Sequence, residues 1–430
     1  MVDGGRTERP EASGRWGDTG PLAPLTWPVE RRALAMVHSW QAGDRLADIA
    51  PAVVEGDPRV QVVYSATGGS PFSASGAEYA RRLDAAVLPW ERARTHRYDL
   101  AIAAHLDDFT DVRAPALVVA HGVGLSKLVP RKPGYGPPAR RPIGGAVAGA
   151  LVRYGRVGPA VIGIAHERQR AIVARESPDA ARVCRVVGDP TWDRMSASLP
   201  LRRAYRRALG VGGHQRLIVL SSTWGRSGLA GRCPELLTRL PAELGGDCVA
   251  AAVLHPAIWW THGRRQVAAW LAEARRSGLR LLAPGAAWQA ALVAADVVIG
   301  DHGAVTAYGA ALGAPTLLAA GEPADIVPGS QVAEVYRRAR PFRPDEGARR
   351  QVDRAIRDHD PGHGAEIAGL LTSAPGRSAE LLRSCSYSLM DCAEPPHPPA
   401  VHRLPAPQVL VYGPAALDAQ GGGAPGERAA

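Results

Sequence analysis

His121 follows the apolar run ALVVA, which has the character of a buried strand, and it precedes Gly122 and Gly124. A histidine at a strand end, beside glycines that let a ligand approach the backbone, can act as a general base near neutral pH. Lys127 lies six residues further on, and its ammonium is a compact charge suited to a phosphate. The alternative interpretation is a loop histidine beside a solvated lysine.

His255 also stands where an apolar run, VAAAVL, ends, and Pro256 stops the strand immediately after it. At that place an imidazole can donate a hydrogen bond to a phosphate or to developing charge. The segment from Ser221 to Arg226 follows the strand-like LIVL, and Thr223 and Arg226 supply a hydroxyl and a guanidinium for a phosphate. An ordinary turn and a polar loop are the alternatives for these two segments.

The most specific segment runs from Asp296 to Tyr308, where a strand passes through a tight turn into a helix. Unpaired N–H groups and the dipole at a helix N-terminus bind anions. The sequence therefore predicts an anion site at this turn. The candidate residues are Asp301, His302, Gly303, Ala304 and Thr306.

A hinge between two halves of the chain is predicted at Gly188, Pro190 and Asp193. The Gly-x-Pro pattern makes a sharp turn through backbone restriction, and we expect Asp193 to cap the helix that follows.

The elements that position these residues alternate between short apolar strands and helices, as in α/β proteins with parallel sheets. Eleven strands are predicted; they lie near 33–38, 60–65, 99–104, 116–120, 160–164, 182–187, 216–221, 248–254, 279–282, 296–300 and 315–319. We expect two Rossmann-like domains facing each other across a cleft, at 31–187 and 188–372. Residues 1–30 and 373–430 are rich in Pro and Gly and are predicted to be flexible tails, in which the run 409–412 could dock locally.

Composition restricts the function classes. The net charge of the 430 residues is +10, but the basic residues are 49 arginines and only two lysines, Lys127 and Lys132, which indicates a high-GC coding preference. Nucleic-acid binding rests on this charge alone and is unfavoured. Five scattered cysteines predict neither disulfides nor a zinc site, and no run is apolar enough to span a membrane. We expect a cytoplasmic protein without a bound metal, with peripheral membrane contact at the inner face left open.

The order of motifs resembles the CDP-glycerol glycerophosphotransferase family, the teichoic-acid polymerases and primases. These motifs are HG with a following lysine, G-x-P-x-x-D, a strand ending in TW, HP, and a small-residue turn before G-x-P. The resemblance spans about 116–320 and is shared more loosely with GT-B glycosyltransferases. It implies a GT-B-like fold, no obligatory metal or other cofactor, and a nucleotide-linked donor held mainly by the C-terminal domain.

Carried over by motif, the resemblance implies that His121 deprotonates an acceptor hydroxyl. It further implies that His255 and Thr223, with the turn 301–304, surround the pyrophosphate of the donor.

The chain departs from the family pattern at four positions. Thr191 replaces an arginine, Gly303 and Ala304 replace paired serines, and Tyr308 replaces an acidic residue. The leading hypothesis is a transferase that moves a glycerophosphate or a sugar to a hydroxyl on a cell-envelope or small-molecule acceptor. The alternative hypothesis is a catalytically degenerate GT-B-like protein that binds a nucleotide or a partner. Neither the acceptor nor the oligomeric state follows from the sequence.

Overall fold

The computed structural model describes residues 27–69, 72–105, 111–129, 143, 151–153 and 156–411. Two six-stranded parallel sheets, each flanked by helices, form two Rossmann-like domains, as the sequence predicts. All eleven predicted strands are present within one or two residues of their expected bounds. Residues 1–26 and 412–430, most of the first predicted tail and the end of the second, lie outside the described residues.

The first sheet has the strand order β2-β1-β3-β4-β7-β8, and all of its pairs are parallel. Its strands are β1 Arg31–Val37, β2 Val60–Ala66, β3 Leu100–Ala103, β4 Ala116–Val119, β7 Val161–Ile164 and β8 Cys184–Val186. A small antiparallel pair, β5 Val152–Arg153 and β6 Arg156–Val157, was not predicted.

The second sheet has the order β11-β10-β9-β12-β13-β14, again entirely parallel. Its strands are β9 Arg216–Ser222, β10 Cys248–Leu254, β11 Arg280–Leu282, β12 Val297–Gly300, β13 Thr316–Leu318 and β14 Arg340–Pro341. The two-residue strand β14 is too short to leave an apolar run in the sequence.

Helices cover the faces of both sheets, so the central strands are buried on both sides and are mainly apolar. The helices of the first domain are Trp40–Val54, Ser73–Arg82, Trp90–Ala93, Arg168–Glu176 and Pro178–Arg182. Those that follow are Pro190–Ala197, Arg202–Ala208, Leu229–Arg232, Pro234–Leu244, Pro256–His262, Arg264–Trp270, Ala272–Arg276, Trp288–Ala294, Ala304–Ala311, Gln331–Arg338, Ala348–Arg357, Gly362–Leu371 and Ser378–Leu389.

The sheet order reverses direction at one place in each domain, between β1 and β3 and between β9 and β12. The loops after strands on either side of such a switch point leave in opposite directions, which opens a crevice at the carboxyl ends of the strands. The two crevices face each other and form the cleft between the domains.

The expectation of a flexible tail from residue 373 is wrong for residues 373–411. Ser378–Leu389 is a helix that returns to the first domain and packs against Trp40–Val54. Arg383 is 1% exposed and donates to the carbonyl oxygens of Ala52, at 2.8 Å, and of Glu55, at 3.3 Å. It therefore satisfies carbonyl groups that the C-terminus of the first helix leaves unpaired.

The segment after this helix has no regular secondary structure, and its last residues contact the second domain. Leu404 is buried, the N–H of Gln408 donates to the Ala286 carbonyl, and the N–H of Leu410 donates to the Leu281 carbonyl at 2.8 Å. The apolar run at 409–412 therefore docks locally through its described residues. Proline-rich segments such as this one carry no helical or strand periodicity, so their docking cannot be read from sequence patterns.

Among the described residues, no helix combines the length and apolar character needed to cross a membrane.

Candidate functional site

The cleft between the domains encloses about 910 Å³. Its N-terminal wall comes from the helix Trp40–Val54 and the loop after β4, and its C-terminal wall from the loops after β9, β10, β11 and β12. Five of the predicted site residues line it directly: His121, Thr223, His255, Gly303 and Ala304.

His121 follows β4, and its ring is exposed to the cleft. Nδ1 lies 3.0 Å from the carbonyl oxygen of Ala104, so Nδ1 carries the proton that this acceptor requires and Nε2 keeps its lone pair. The protein around the ring, and next the neighbouring His105, lower the pKa of His121 to about 4. The imidazole is therefore neutral and able to accept a proton at pH 7.

His121 is one of three histidines that lie side by side at the edge of the first sheet. The sequence analysis missed this arrangement. His38, His105 and His121 follow β1, β3 and β4, which are adjacent in the sheet. The ring centroids of His38 and His105 are 5.3 Å apart, and those of His105 and His121 are 6.1 Å apart with nearly parallel planes. The signal was present, because each histidine ends an apolar run that feeds the same sheet edge.

The C-terminal wall is centred on the helix Ala304–Ala311, whose N-cap is Gly303. No side chain of the described residues caps this helix, so the N–H groups of its first turn remain available to an anion. Thr306 is buried, and its hydroxyl oxygen accepts from the N–H of Asp301 at 3.3 Å. The predicted turn and helix are thus in place, and Thr306 supports the turn from beneath.

Asp301 is 1% exposed and organises the loops around it. Its carboxylate accepts from the N–H groups of Thr223, Leu229 and Gly303, each at 2.8 Å. Burial raises the pKa of Asp301, against the effect of these hydrogen bonds. The side chain therefore shapes the anion site, joining the loop after β9 to the turn after β12.

The departure at Gly303 has a steric basis. A Cβ at position 303 would lie 2.9 Å from Oδ1 of Asp301 and 3.3 Å from Cβ of Thr223. Ala304 faces Gly122 across the cleft. Gly122 has φ +62°, and a Cβ added to Gly122 would lie 3.0 Å from the Cβ of Ala304. Small residues therefore let the two domains approach closely beside the helix N-terminus.

Lys127 crosses from the first domain to the second. Its Nζ donates to Oγ1 of Thr223 at 2.6 Å. The adjoining backbone is held by two further bonds, from Leu128 N to Asp325 O at 2.8 Å and from Val327 N to Ser126 O at 3.0 Å. Burial lowers the pKa of Lys127, while Asp301 and Asp325 oppose the shift. This places a cation beside the anion site of the other domain.

His255 ends β10 and caps the helix Pro256–His262. Nδ1 accepts from the N–H of Ala257 at 3.1 Å, so the neutral ring carries its proton on Nε2. The Gln41 amide lies 2.9 Å from Nε2, and its oxygen can accept this proton once the amide is oriented accordingly. Burial, and then Lys127, lower the pKa of His255 well below its usual value. A neutral N–H donor therefore points into the cleft.

A buried clasp joins the domains at the base of the cleft. Arg45 pairs with Asp189 at 2.8 Å and donates to the carbonyl oxygen of Gly122 at 2.5 Å. Tyr308 Oη lies 2.7 Å from Oδ2 of Asp189 and 3.0 Å from the same Gly122 carbonyl. Tyr308, which replaces the acidic residue of the family pattern, thus connects the helix Ala304–Ala311 to the hinge.

The hinge shows one correction. Asp189, and not Asp193, caps the helix Pro190–Ala197, because its Oδ1 accepts from the N–H groups at 191 and 192. Asp193 lies within that helix and accepts from Gly376 N and Ser378 N, at the start of the C-terminal helix. Gly188 has φ +73° and Pro190 opens the helix.

Thr191 stands where the family motif has an arginine. Its hydroxyl donates to Asp48, which also pairs with Arg194. Arg194 therefore supplies a guanidinium near the position from which the motif arginine is missing.

Two predicted phosphate ligands, Arg226 and His302, do not line the cleft. Arg226 is exposed and lines a second cavity. His302 is 4% exposed behind the turn, where burial lowers its pKa to about 4 and its Nδ1 has no hydrogen-bond partner among the described residues.

The sequence analysis also missed the contribution of the helix Trp40–Val54 to the cleft. Gln41, Asp44, Arg45 and Asp48 line it from one face of that helix. Burial, and next the charge of Asp48, raise the pKa of Asp44 well above its usual value. Polar residues three and four apart on a helix usually form a solvated face, so only the opposing domain distinguishes them.

No family model matches the sequence, and neither does any of the curated proteins. Solved structures do match. A histidine-to-alanine variant of the wall teichoic acid polymerase TagF aligns with TM-score 0.58 and 11% identity, over 84% of this chain and 89% of that chain. A histidine-to-asparagine variant of TagF soaked with CDPG aligns with TM-score 0.56 and 12% identity over the same shares. Anabaena Alr3699/HepE with UDP-glucose aligns with TM-score 0.45 and 13% identity, over 84% and 99%.

The TagF alignments span both domains and establish the fold. The chain has the GT-B fold, as the motif order led us to expect.

Proposed function

We propose that the protein is a transferase that takes a group from a nucleoside-diphosphate-linked donor, of the CDP-glycerol or nucleotide-sugar type, to a hydroxyl acceptor. The observation that carries the proposal is the uncapped N-terminus of the helix Ala304–Ala311, which faces His121 across the cleft. The likeness in fold to TagF, including a structure soaked with CDPG, supports it.

The donor pyrophosphate would lie at this helix N-terminus. Backbone N–H groups from residue 304 onwards donate to it, and Lys127 and Thr223 supply a charge and a hydroxyl at its side. His255 would donate its Nε2–H to the phosphate, and this new hydrogen bond would replace the one between His255 and Gln41. The nucleoside would extend along the loop 283–285 towards Trp288, which also lines the cleft.

His121 would then move the proton. Its Nε2 takes the hydrogen of the acceptor hydroxyl as the oxygen attacks the carbon or phosphorus of the group being transferred. The bond from that atom to the leaving phosphate oxygen breaks, and the electron pair stays on the nucleotide. The fixed N–H donors of the second domain stabilise this charge as it develops. We propose that these donors and Lys127 serve in place of a metal ion.

One observation favours the alternative, a degenerate protein that binds nucleotide without turnover. Tyr308 has no carboxylate, and its hydroxyl is already hydrogen-bonded to Asp189 and Gly122, so this residue offers neither a carboxylate nor a free hydroxyl to a ribose. Incubation of the protein with CDP-glycerol, UDP-glucose and an acceptor panel separates the two functions. Release of CMP from CDP-glycerol, or of UDP from UDP-glucose, supports the transferase, whereas tight binding without release supports the alternative.

Calorimetric titration with CDP and UDP at millimolar concentration tests the shared premise. Ala304 is the first residue of its helix and follows extended Gly303, so Ala304→Pro fits the backbone while deleting one N–H donor. We expect A304P to weaken binding about tenfold, the value of one charge-assisted hydrogen bond. The matched control Ala304→Ser keeps the N–H, and it should bind at least as tightly as the natural protein. Failure of a panel of nucleoside diphosphates to bind the folded protein contradicts the proposal.

A further inference from the structure

A second cavity of about 1300 Å³ adjoins the cleft and is lined mainly by the C-terminal domain. Thr223 and Leu254 line both cavities, so the second opens directly beside the anion site. The ring centroids of Trp224 in this cavity and His255 in the cleft are 6.4 Å apart. We call this second cavity the tryptophan groove.

The tryptophan groove presents flat aromatic surfaces. Trp224 and Trp270 are 48% and 55% exposed, and they are two of the six large exposed hydrophobic side chains among the described residues. Phe72 of the first domain contacts Trp224 edge to face, with centroids 5.3 Å apart, and His262 contacts Trp270 in a similar way at 5.1 Å. Indole surface left in contact with water is costly, and such clustering marks a binding site.

The described lining of the groove disfavours a polyanionic acceptor. Among the described residues that line it, Arg226 is the single permanently charged side chain, although the whole chain carries +10. A polyanionic acceptor would require several cations along its path, because each phosphate is held by Arg, Lys or N–H donors.

We propose that the tryptophan groove binds the apolar, ring-containing part of the acceptor, with the acceptor hydroxyl reaching past Thr223 towards His121. This inference rests on the proposed transferase function and names the substrate class. Planar rings stack on indole faces or meet them edge to face, with energy beyond the area buried. A flexible alkyl chain gains only the area term and loses rotational freedom.

The direct test is a ligand-observed NMR titration of the nucleotide-free protein with 2-naphthol, 1-octanol and glycerol 1-phosphate. We expect 2-naphthol to bind more tightly than 1-octanol and glycerol 1-phosphate not to bind in the groove. Trp270→Ala should weaken 2-naphthol binding roughly fivefold, the value of one aromatic contact. The matched control is Trp27→Ala, since Trp27 is 63% exposed and does not line the groove.

Thr261→Trp provides an independent variant, because Thr261 is exposed within the groove and an added indole fills it. It should also reduce 2-naphthol binding, without removing any native aromatic group. Equal binding of 1-octanol and 2-naphthol, or 2-naphthol binding unchanged in both W270A and T261W, overturns the inference.

The same titrations distinguish this inference from the proposed function. Binding of CDP or UDP without any 2-naphthol binding leaves the transferase proposal standing and removes the ring-binding groove. Binding of 2-naphthol in the groove of a protein that binds no nucleotide removes the acceptor role assigned to it.

Discussion

The two walls of the cleft are built from different materials. The first domain contributes side chains, namely His121, which ends a row of three neighbouring histidines, and the carboxyl groups of one helix. The second domain contributes mainly backbone N–H groups, held in place by the buried carboxylate of Asp301. A wall of side chains can move a proton, whereas a wall of fixed donors holds an anion.

The difference follows from where each sheet reverses. In the first sheet His38 and His105 follow β1 and β3, the strands on either side of the switch point, and His121 follows the next strand. In the second sheet Thr223 and Asp301 follow β9 and β12, and the bond between them bridges the switch point directly. The same sheet architecture thus places a row of imidazoles at the switch point of the first domain and a hydrogen-bonded turn at the switch point of the second.

Of the substitutions that test this difference between the two walls, replacement of His121 is expected to have the largest effect. We expect His121→Ala to lower kcat by about 10²- to 10⁴-fold, the usual contribution of a general base, with CDP or UDP affinity retained. Because the pKa of His121 is lowered to about 4, the rate should stay level from neutral pH down to about pH 5 and fall below that. His302→Gln is the matched control, since His302 has a similarly lowered pKa but lies behind the turn. Full activity in H121A would remove this residue from the mechanism.

Much of this architecture follows from the sequence. Buried strands have mainly apolar runs that the sequence displays, and all eleven predicted strands occur. The turn before Ala304 follows from its glycine and small residues. The docking of 378–411 and the clasp from Arg45 to Tyr308 could not be predicted. Both depend on contacts between residues more than a hundred positions apart. Asp189 and Asp193 are chemically alike, so only the observed helix start shows which one caps it.

Removal of Asp301 tests the rigidity of the second wall. Asp301→Ala leaves three buried N–H groups without an acceptor, and we expect it to lower the free energy of unfolding by about 3 kcal/mol. Urea denaturation followed by circular dichroism measures the change. Asp301→Asn keeps an acceptor oxygen and should recover part of the loss. If D301A unfolds at the same urea concentration as the natural protein, Asp301 does not organise this wall.

His255 belongs to the second wall but acts through a side chain. We expect His255→Ala to weaken CDP or UDP binding tenfold to a hundredfold, because one donor to a charged phosphate is lost. Calorimetric titration with CDP or UDP compares the nucleotide affinity of H255A with that of Gln41→Ala. Q41A frees the imidazole and should bind nucleotide at least as well as the natural protein. A loss in Q41A equal to that in H255A would show that the pair acts only to join the domains.

Tyr308 joins the walls, and its hydroxyl is expected to give the smallest effect. Tyr308→Phe removes the donor to Asp189 while Arg45 remains paired with that carboxylate. We expect about 1 kcal/mol of lost stability, the net value of one hydrogen bond, with nucleotide affinity little changed. Thermal unfolding of Y308F measures it. A tenfold change in nucleotide affinity would show instead that the Tyr308 hydroxyl acts on the donor.

The central claim is that the uncapped helix N-terminus of the second wall holds the donor pyrophosphate. Backbone amide NMR of the protein titrated with CDP or UDP tests this most directly. The account predicts that the largest shifts fall on the amides of Ala304, Val305 and Thr306, followed by Thr223, and that A304P reduces them. Saturating nucleotide that shifts other amides and leaves these four unchanged would contradict it.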